Sequence, residues 1–220
     1  SNHAGTRSDL TVRVQACTAA FRGSDRCRSY PTGFKPAGLL HEFGETGLMD
    51  FGLLTGSYDN SMAGGRLRKA VGSFASEVKP DDGTFTASAT LVRTFNALRI
   101  RDFNNGYTSS RYRTWKTDYP PKPDDYPDWG NPVGEMMYEA LRYFAGAGAA
   151  TPAFSTPTSA DTAVGLPLPA WDDPYGASGS ARAASCSRAS LLVISDTNLS
   201  YDSDQVPGAD PAFSAGGSGQ

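Results

Sequence analysis

The sequence has few of the residues from which most catalytic and metal centres are assembled. It contains two histidines, His3 and His41, and three cysteines in 220 residues. His3 lies in a polar N-terminal stretch, so His41 is left as a lone imidazole, and its expected role is structural. No C-x-x-C pair occurs, so a zinc site is not expected. The G-x-S-x-G nucleophile elbow, the G-x-x-x-x-G-K-[ST] phosphate loop and the G-x-G-x-x-G dinucleotide turn are all missing. No apolar run approaches the roughly 18 residues of a membrane-spanning helix, and the mean hydropathy is -0.41. Nor is there a block of one charge. The 20 Lys and Arg are scattered among 23 Asp and Glu, for a net charge of -3. With a pI near 5.4, no basic footprint for nucleic acid is present. Neither an initiator methionine nor a signal-like apolar segment is found, so the chain reads as an internal stretch of a longer protein.

What is present is glycine (24), proline (15) and well-spaced apolar residues. Such a chain makes one α/β domain with long loops. Residues 1–10 and 209–220 read as flexible ends. Thr11 to Cys17 alternates Val12, Val14 and Ala16 with Arg13 and Gln15, the period of a half-buried strand. Pro31 and Gly33 mark a turn. Lys35 to Phe43 predicts a short helix with Pro36 in its first turn. Met49 to Tyr58 predicts a strand, with Gly52 and Gly56 marking bulges or close approach. Arg66 to Gly72 predicts a second strand, forming a hairpin with it. Thr86 to Phe103 predicts a helix with Ala87, Leu91, Phe95 and Leu98 near one face.

The clearest element is WGNPVGEMMYEALRYFAGAG, residues 129–148. Val133, Met136, Met137, Ala140, Leu141 and Phe144 recur at helical steps. Asn131 and Pro132 open the helix as cap and first-turn proline. Gly146 and Gly148 stop it. Glu135 and Glu139, four apart, have the spacing of an acid/base pair, but exposed helix-surface roles explain them better. Insertions flank this helix at about 104–128 and 149–189. Beyond them, Leu191-Leu192-Val193-Ile194-Ser195 reads as a buried parallel strand with Asp196 at its C-terminal end. Ligands bind at that end in open α/β sheets.

Several stretches carry a resemblance: VRVQAC (12–17), RCRSYPTGFKPAGLLHEF (26–43), MDFGLLTGSYDN (49–60), GNPVGEMMYEALRYFAG (130–146), AWDDPY (170–175) and LLVISDTNLSYDSDQVPG (191–208). They are similar to the N-terminal region of the PilC/PilY family of type IV pilus tip-associated adhesins. That resemblance implies an incomplete von Willebrand factor A-like domain over residues 11–208, a three-layer α/β sandwich with a mostly parallel sheet and helices on both faces. It implies a binding and assembly role rather than an enzyme, with export to the pilus tip or outer membrane surface. Minor pilins or other tip components, and a host or abiotic surface, are the implied partners.

The resemblance also bears on the site residues. Export favours a disulfide between Cys17 and Cys27 over two free thiols, with Cys186 left over. A domains hold Mg²⁺ or a similar ion on three loops. Asp196 matches the aspartate of the third loop, and Asn131 falls where the second-loop threonine belongs. The D-x-S-x-S first loop is missing, so Mg or Ca is expected only in the intact protein. The plainer role for Asp196 is to cap the loop after its strand. The acidic run Asp196, Asn198, Asp202 and Asp204 lacks the glycine and glutamate of an EF-hand loop. Tyr112, Trp115, Tyr126 and Trp129 offer a contact surface, or an insertion packing its own aromatics. An alternative function is a secreted carbohydrate-binding or carbohydrate-active domain using these aromatics and the pair Glu135 and Asp173. The bland reading of Asp172 and Asp173 is that of turn residues before Pro174.

Overall fold

The computed structural model describes residues 12–23, 26–57, 64–98, 131–155, 161, 165–176, 187–195 and 206. Its first unit is a hairpin of β1 (Cys27–Tyr30) and β2 (Gly33–Pro36), with Tyr30 opposite Gly33 and Cys27 opposite Pro36. The Cys17–Cys27 disulfide ties the start of β1 to the preceding segment. Pro36 ends a strand here instead of starting a helix. The residue before a proline is pushed out of the α region, so Lys35 stays extended opposite Arg28. The chain coils only after Gly38, as a π-helical turn over Leu40–Glu45.

The second unit is the expected hairpin, β3 (Asp50–Thr55) against β4 (Arg66–Ser73). Its register slips between Phe51 and Leu53 and again between Leu53 and Leu54. Gly52 lies at this irregularity. A Cβ there would meet Val71 Cγ2 at 2.9 Å and the Lys69 carbonyl at 3.3 Å, so only glycine fits without movement. Tyr30, Phe74 and Val78 form a core cluster, with Leu40, Phe51 and Val92 packed against it. The His41 ring meets Phe74 edge-on at 5.3 Å, and its Nδ1 accepts the Gly38 N–H at 3.2 Å. Burial lowers the His41 pKa, in keeping with a structural role.

Helix α1 (Thr90–Ala97) packs on β4 and is shorter than the predicted 86–103; residues 99–103 lie outside the described residues. Its first turn is satisfied from a distance. The buried Glu77 carboxylate accepts the Leu91 N–H at 3.1 Å and the Thr90 hydroxyl at 3.2 Å. The Lys69 ammonium stands 3.6 Å away. An anion at a helix N-terminus answers both the open N–H groups and the helix dipole. Helix α2 (Val133–Phe144) begins within a residue or two of the predicted start and is stopped by Gly146 at φ +80°. A short helix, α3 (Pro152–Ser155), follows.

This architecture corrects the expected three-layer sandwich. Both sheets are two-stranded and antiparallel, and no parallel pair occurs among the described residues. The two segments predicted as flanking strands join neither sheet. Val12 and Val14 are more than four-fifths exposed, and the run from Leu191 to Ile194 is exposed throughout. A short apolar run shows that a segment can be buried, not what will bury it, and a strand needs a partner for its backbone groups. The domain ends at 1–10 and 209–220 and the insertion at 104–128 lie outside the described residues.

Candidate functional site

Helix α2 gathers the side chains on which the second half of the described structure depends. Its orientation departs from the pattern of its sequence. Met137 and Leu141, expected to face inward, are 43% and 67% exposed. Glu135 and Glu139, expected on the surface, are completely buried. The inward face is Val133, Glu135, Glu139, Ala140 and Tyr143.

The reason lies in what these carboxylates meet. Glu135 accepts the Gly64 N–H at 2.9 Å. Glu139 accepts the Thr151 N–H at 2.9 Å, the Thr151 hydroxyl, and the Arg142 guanidinium at 2.9 Å. Buried backbone donors demand acceptors, and an ionised carboxylate is the strongest available. Gly64 and Gly65, just before β4, let the helix come this close. A Cβ on Gly64 would meet the Pro132 carbonyl at 2.8 Å. Gly65 holds φ +89°, and a Cβ there would run into Glu139.

At the other end of α2, the Tyr143 hydroxyl accepts the Val71 N–H at 3.0 Å and so reaches β4. Its ring stands edge-on to Trp171 at 5.6 Å, while the Arg142 guanidinium lies 5.7 Å from the Trp171 ring centre. Burial raises the Tyr143 pKa, partly opposed by the Val71 hydrogen bond. Asp173 plays the expected turn role, accepting the Tyr175 N–H at 2.9 Å.

A second buried charge cluster lies on β4. Asp161 meets Arg68 at 3.0 Å and Arg66 at 3.5 Å, with all three side chains nearly or fully buried. Arg68 also donates to the Thr55 hydroxyl at 2.9 Å and the Pro167 carbonyl at 3.4 Å. Burial lowers the pKa of both arginines, and Asp161 opposes that shift. Sequence reasoning misses this cluster and the buried Glu77. The one available signal is the dense R-L-R-K run in a segment predicted as strand.

Of the residues named from sequence, Asn131 is placed at the mouth of α2. Its amide Nδ2 donates to Ser195 Oγ at 2.7 Å, so the helix start and the end of the apolar run do meet. Asp196, Tyr112, Trp115, Tyr126, Trp129 and Cys186 lie outside the described residues. Among the described residues no group of three His, Cys, Asp or Glu could hold a metal. Asn131 offers one neutral amide oxygen, and Asp196, its expected companion, is not among the described residues. Glu135 and Asp173 are not a pair. Glu135 is near the start of α2, and Asp173 lies beside Gly146 beyond its end, where an added Cβ would meet Asp173 Oδ2 at 3.1 Å, a separation of roughly 15 Å along the axis. A glycosidase pair stands about 5–10 Å apart.

The described structure is thus a disulfide-bonded module of antiparallel hairpins and helices, locked by buried carboxylates. The chain belongs to the family described as PilY1 homolog, second domain, which it matches over residues 51–220. It is 38% identical, over 92% of its length, to the type IV pilus biogenesis factor PilY1 homolog of Xylella fastidiosa (strain Temecula1), and spans 15% of that relative. This bears out the PilC/PilY resemblance, while neither finding names a von Willebrand A-like region. No solved structure matches the chain. None therefore supports the expected sandwich, which the antiparallel pairing already contradicts.

Proposed function

We propose that this chain is an adhesion and assembly module of a type IV pilus tip protein, supporting pilus biogenesis and attachment to a surface or host cell. The observation that carries this reading is its 38% identity, over nearly the whole chain, to a protein named as a type IV pilus biogenesis factor. The Cys17–Cys27 bridge supports an exported, cell-surface location, because disulfides persist in oxidising compartments. The partners are minor pilins or other tip components, with a host or abiotic surface as ligand. The role is binding rather than catalysis. Glu77, Glu135 and Glu139 each use their oxygens on backbone N–H groups within the module, which supports a structural use for them. Any Mg²⁺ or Ca²⁺ of the intact protein would draw on Asp196 and Asn131. Titration of these ions into the chain and an upstream-extended form, each with Asp196→Ala, measures that directly.

The test of function is a strain whose full-length gene lacks residues 51–220, compared with one restored by the intact gene. Loss of surface pili by electron microscopy supports assembly. Normal pili with reduced attachment would restrict the role to adhesion. Unchanged piliation and unchanged attachment would refute the reading.

A further inference from the structure

Four consecutive aliphatic side chains are left in solvent. Leu191, Leu192, Val193 and Ile194 are 48%, 83%, 44% and 83% exposed. The alternation has a period of two, which is that of an extended strand. Leu191 and Val193 share a half-covered face, and Leu192 and Ile194 share an open one. No described strand pairs with the run. Its end is nevertheless fixed in place, since Ser195 accepts the Asn131 amide at the start of α2. The same helix turns Met137 and Leu141, one turn apart, outward. Exposed apolar surface of this kind marks a place where something docks.

The backbone identifies the occupant. An extended segment that joins no sheet among the described residues offers N–H and C=O groups that another strand would pair along its length. A protein of the Xylella relative's length has most of its polypeptide outside a segment of this size. A tethered sheet edge also meets the run at high effective concentration, ahead of any second molecule. Pairing between two copies would instead expose a flat apolar edge to open-ended association. We propose that the run from Leu191 to Ile194 is donated as a strand to an open sheet edge formed by the full-length polypeptide outside these 220 residues, with Leu192 and Ile194 filling the apolar face of that edge.

Hydrogen exchange of the amides of residues 191–194 tests this, measured by mass spectrometry on the full-length protein and on the 220-residue chain. Expected is exchange about a hundredfold slower in the full-length protein, as for a backbone hydrogen bond released only by local unfolding. Leu192→Asp with Ile194→Asp is expected to abolish that protection in the full-length protein and to leave the melting temperature of the 220-residue chain unchanged. The wild-type comparison stands without the variant. Fast exchange in both forms overturns the proposal, since nothing then covers the run. Equal protection in both overturns it too, since this chain then covers the run itself. Protection in the short chain that grows with concentration assigns the run to self-association and equally overturns it.

Discussion

Replacing Glu139 tests the claim that a buried carboxylate, rather than an apolar stripe, seats α2. Glu139 is wholly buried and receives the Thr151 N–H, the Thr151 hydroxyl and Arg142. Alanine strands the Thr151 donors, and each buried donor left open costs about 1–3 kcal/mol. Removing one partner from inside an ion pair costs about 3–5 kcal/mol when both charges are buried. Arg142 is 29% exposed, so water takes up part of its share, and the expected loss for Glu139→Ala is about 3–4 kcal/mol. Glu139→Gln keeps one acceptor oxygen but turns an NH₂ toward the other donors, for a loss of about 1–2 kcal/mol. Glu42→Ala serves as the control. Glu42 meets Arg26 at 3.3 Å with both side chains more than half exposed, so its loss stays within about 0.5 kcal/mol. Urea unfolding followed by circular dichroism measures all three. With slopes of about 1–3 kcal/mol per molar, Glu139→Ala lowers the midpoint by roughly 1–4 M. A midpoint for Glu139→Ala no lower than that of Glu42→Ala would refute the reasoning, as would Glu139→Gln behaving like wild type.

The remaining expectations concern other parts of the module. Reducing the Cys17–Cys27 bridge, or changing both residues to serine, removes a short-loop crosslink. It is expected to destabilise the chain by about 3 kcal/mol, and equal urea midpoints with and without reductant would count against it. Gly65→Ala places a side chain at φ +89° against Glu139. It is expected to cost about 2–4 kcal/mol from backbone strain and overpacking together, read in the same unfolding assay. Tyr30 is pushed up to about 12 by burial and by its hydroxyl's hydrogen bond to Glu45. A raised folded pKa means the stabilisation is complete below the ordinary tyrosine value near 10 and is lost as pH rises through about 12. Absorbance at alkaline pH follows this ionisation. Tyr30→Phe removes that part of the pH dependence; an unchanged alkaline profile in the variant would exclude Tyr30 as its source.

Some of the architecture is legible in the residue order. The β3–β4 hairpin follows from two apolar segments around a glycine-rich turn, with Gly52 at the irregularity its residue type announces. Helix α2 and its stop at Gly146 follow from spacing and from the left-handed backbone that glycine allows. These features depend on contacts between residues near in sequence. Spacing alone leaves the Cys17–Cys27 pairing open; the family resemblance favours it, and also identifies the family itself. The helix expected at Lys35 to Phe43 forms only from Leu40 onward, because Pro36 and the residue before it hold the chain extended as β2.

Which way α2 faces is settled only in three dimensions. Hydrophobic periodicity puts Met137 and Leu141 inside and the carboxylates outside, because it counts apolar area and nothing else. The folded chain brings Gly64 and Thr151 against the helix, and their buried N–H groups need acceptors more than Leu141 needs cover. In the same way, the run at Leu191–Ile194 has the composition of a buried strand, but composition cannot supply the neighbour that would bury it. Local elements and family membership are therefore written in the chain itself. Which polar groups are buried together depends on the fold, since unmet hydrogen bonds arise only when distant segments meet.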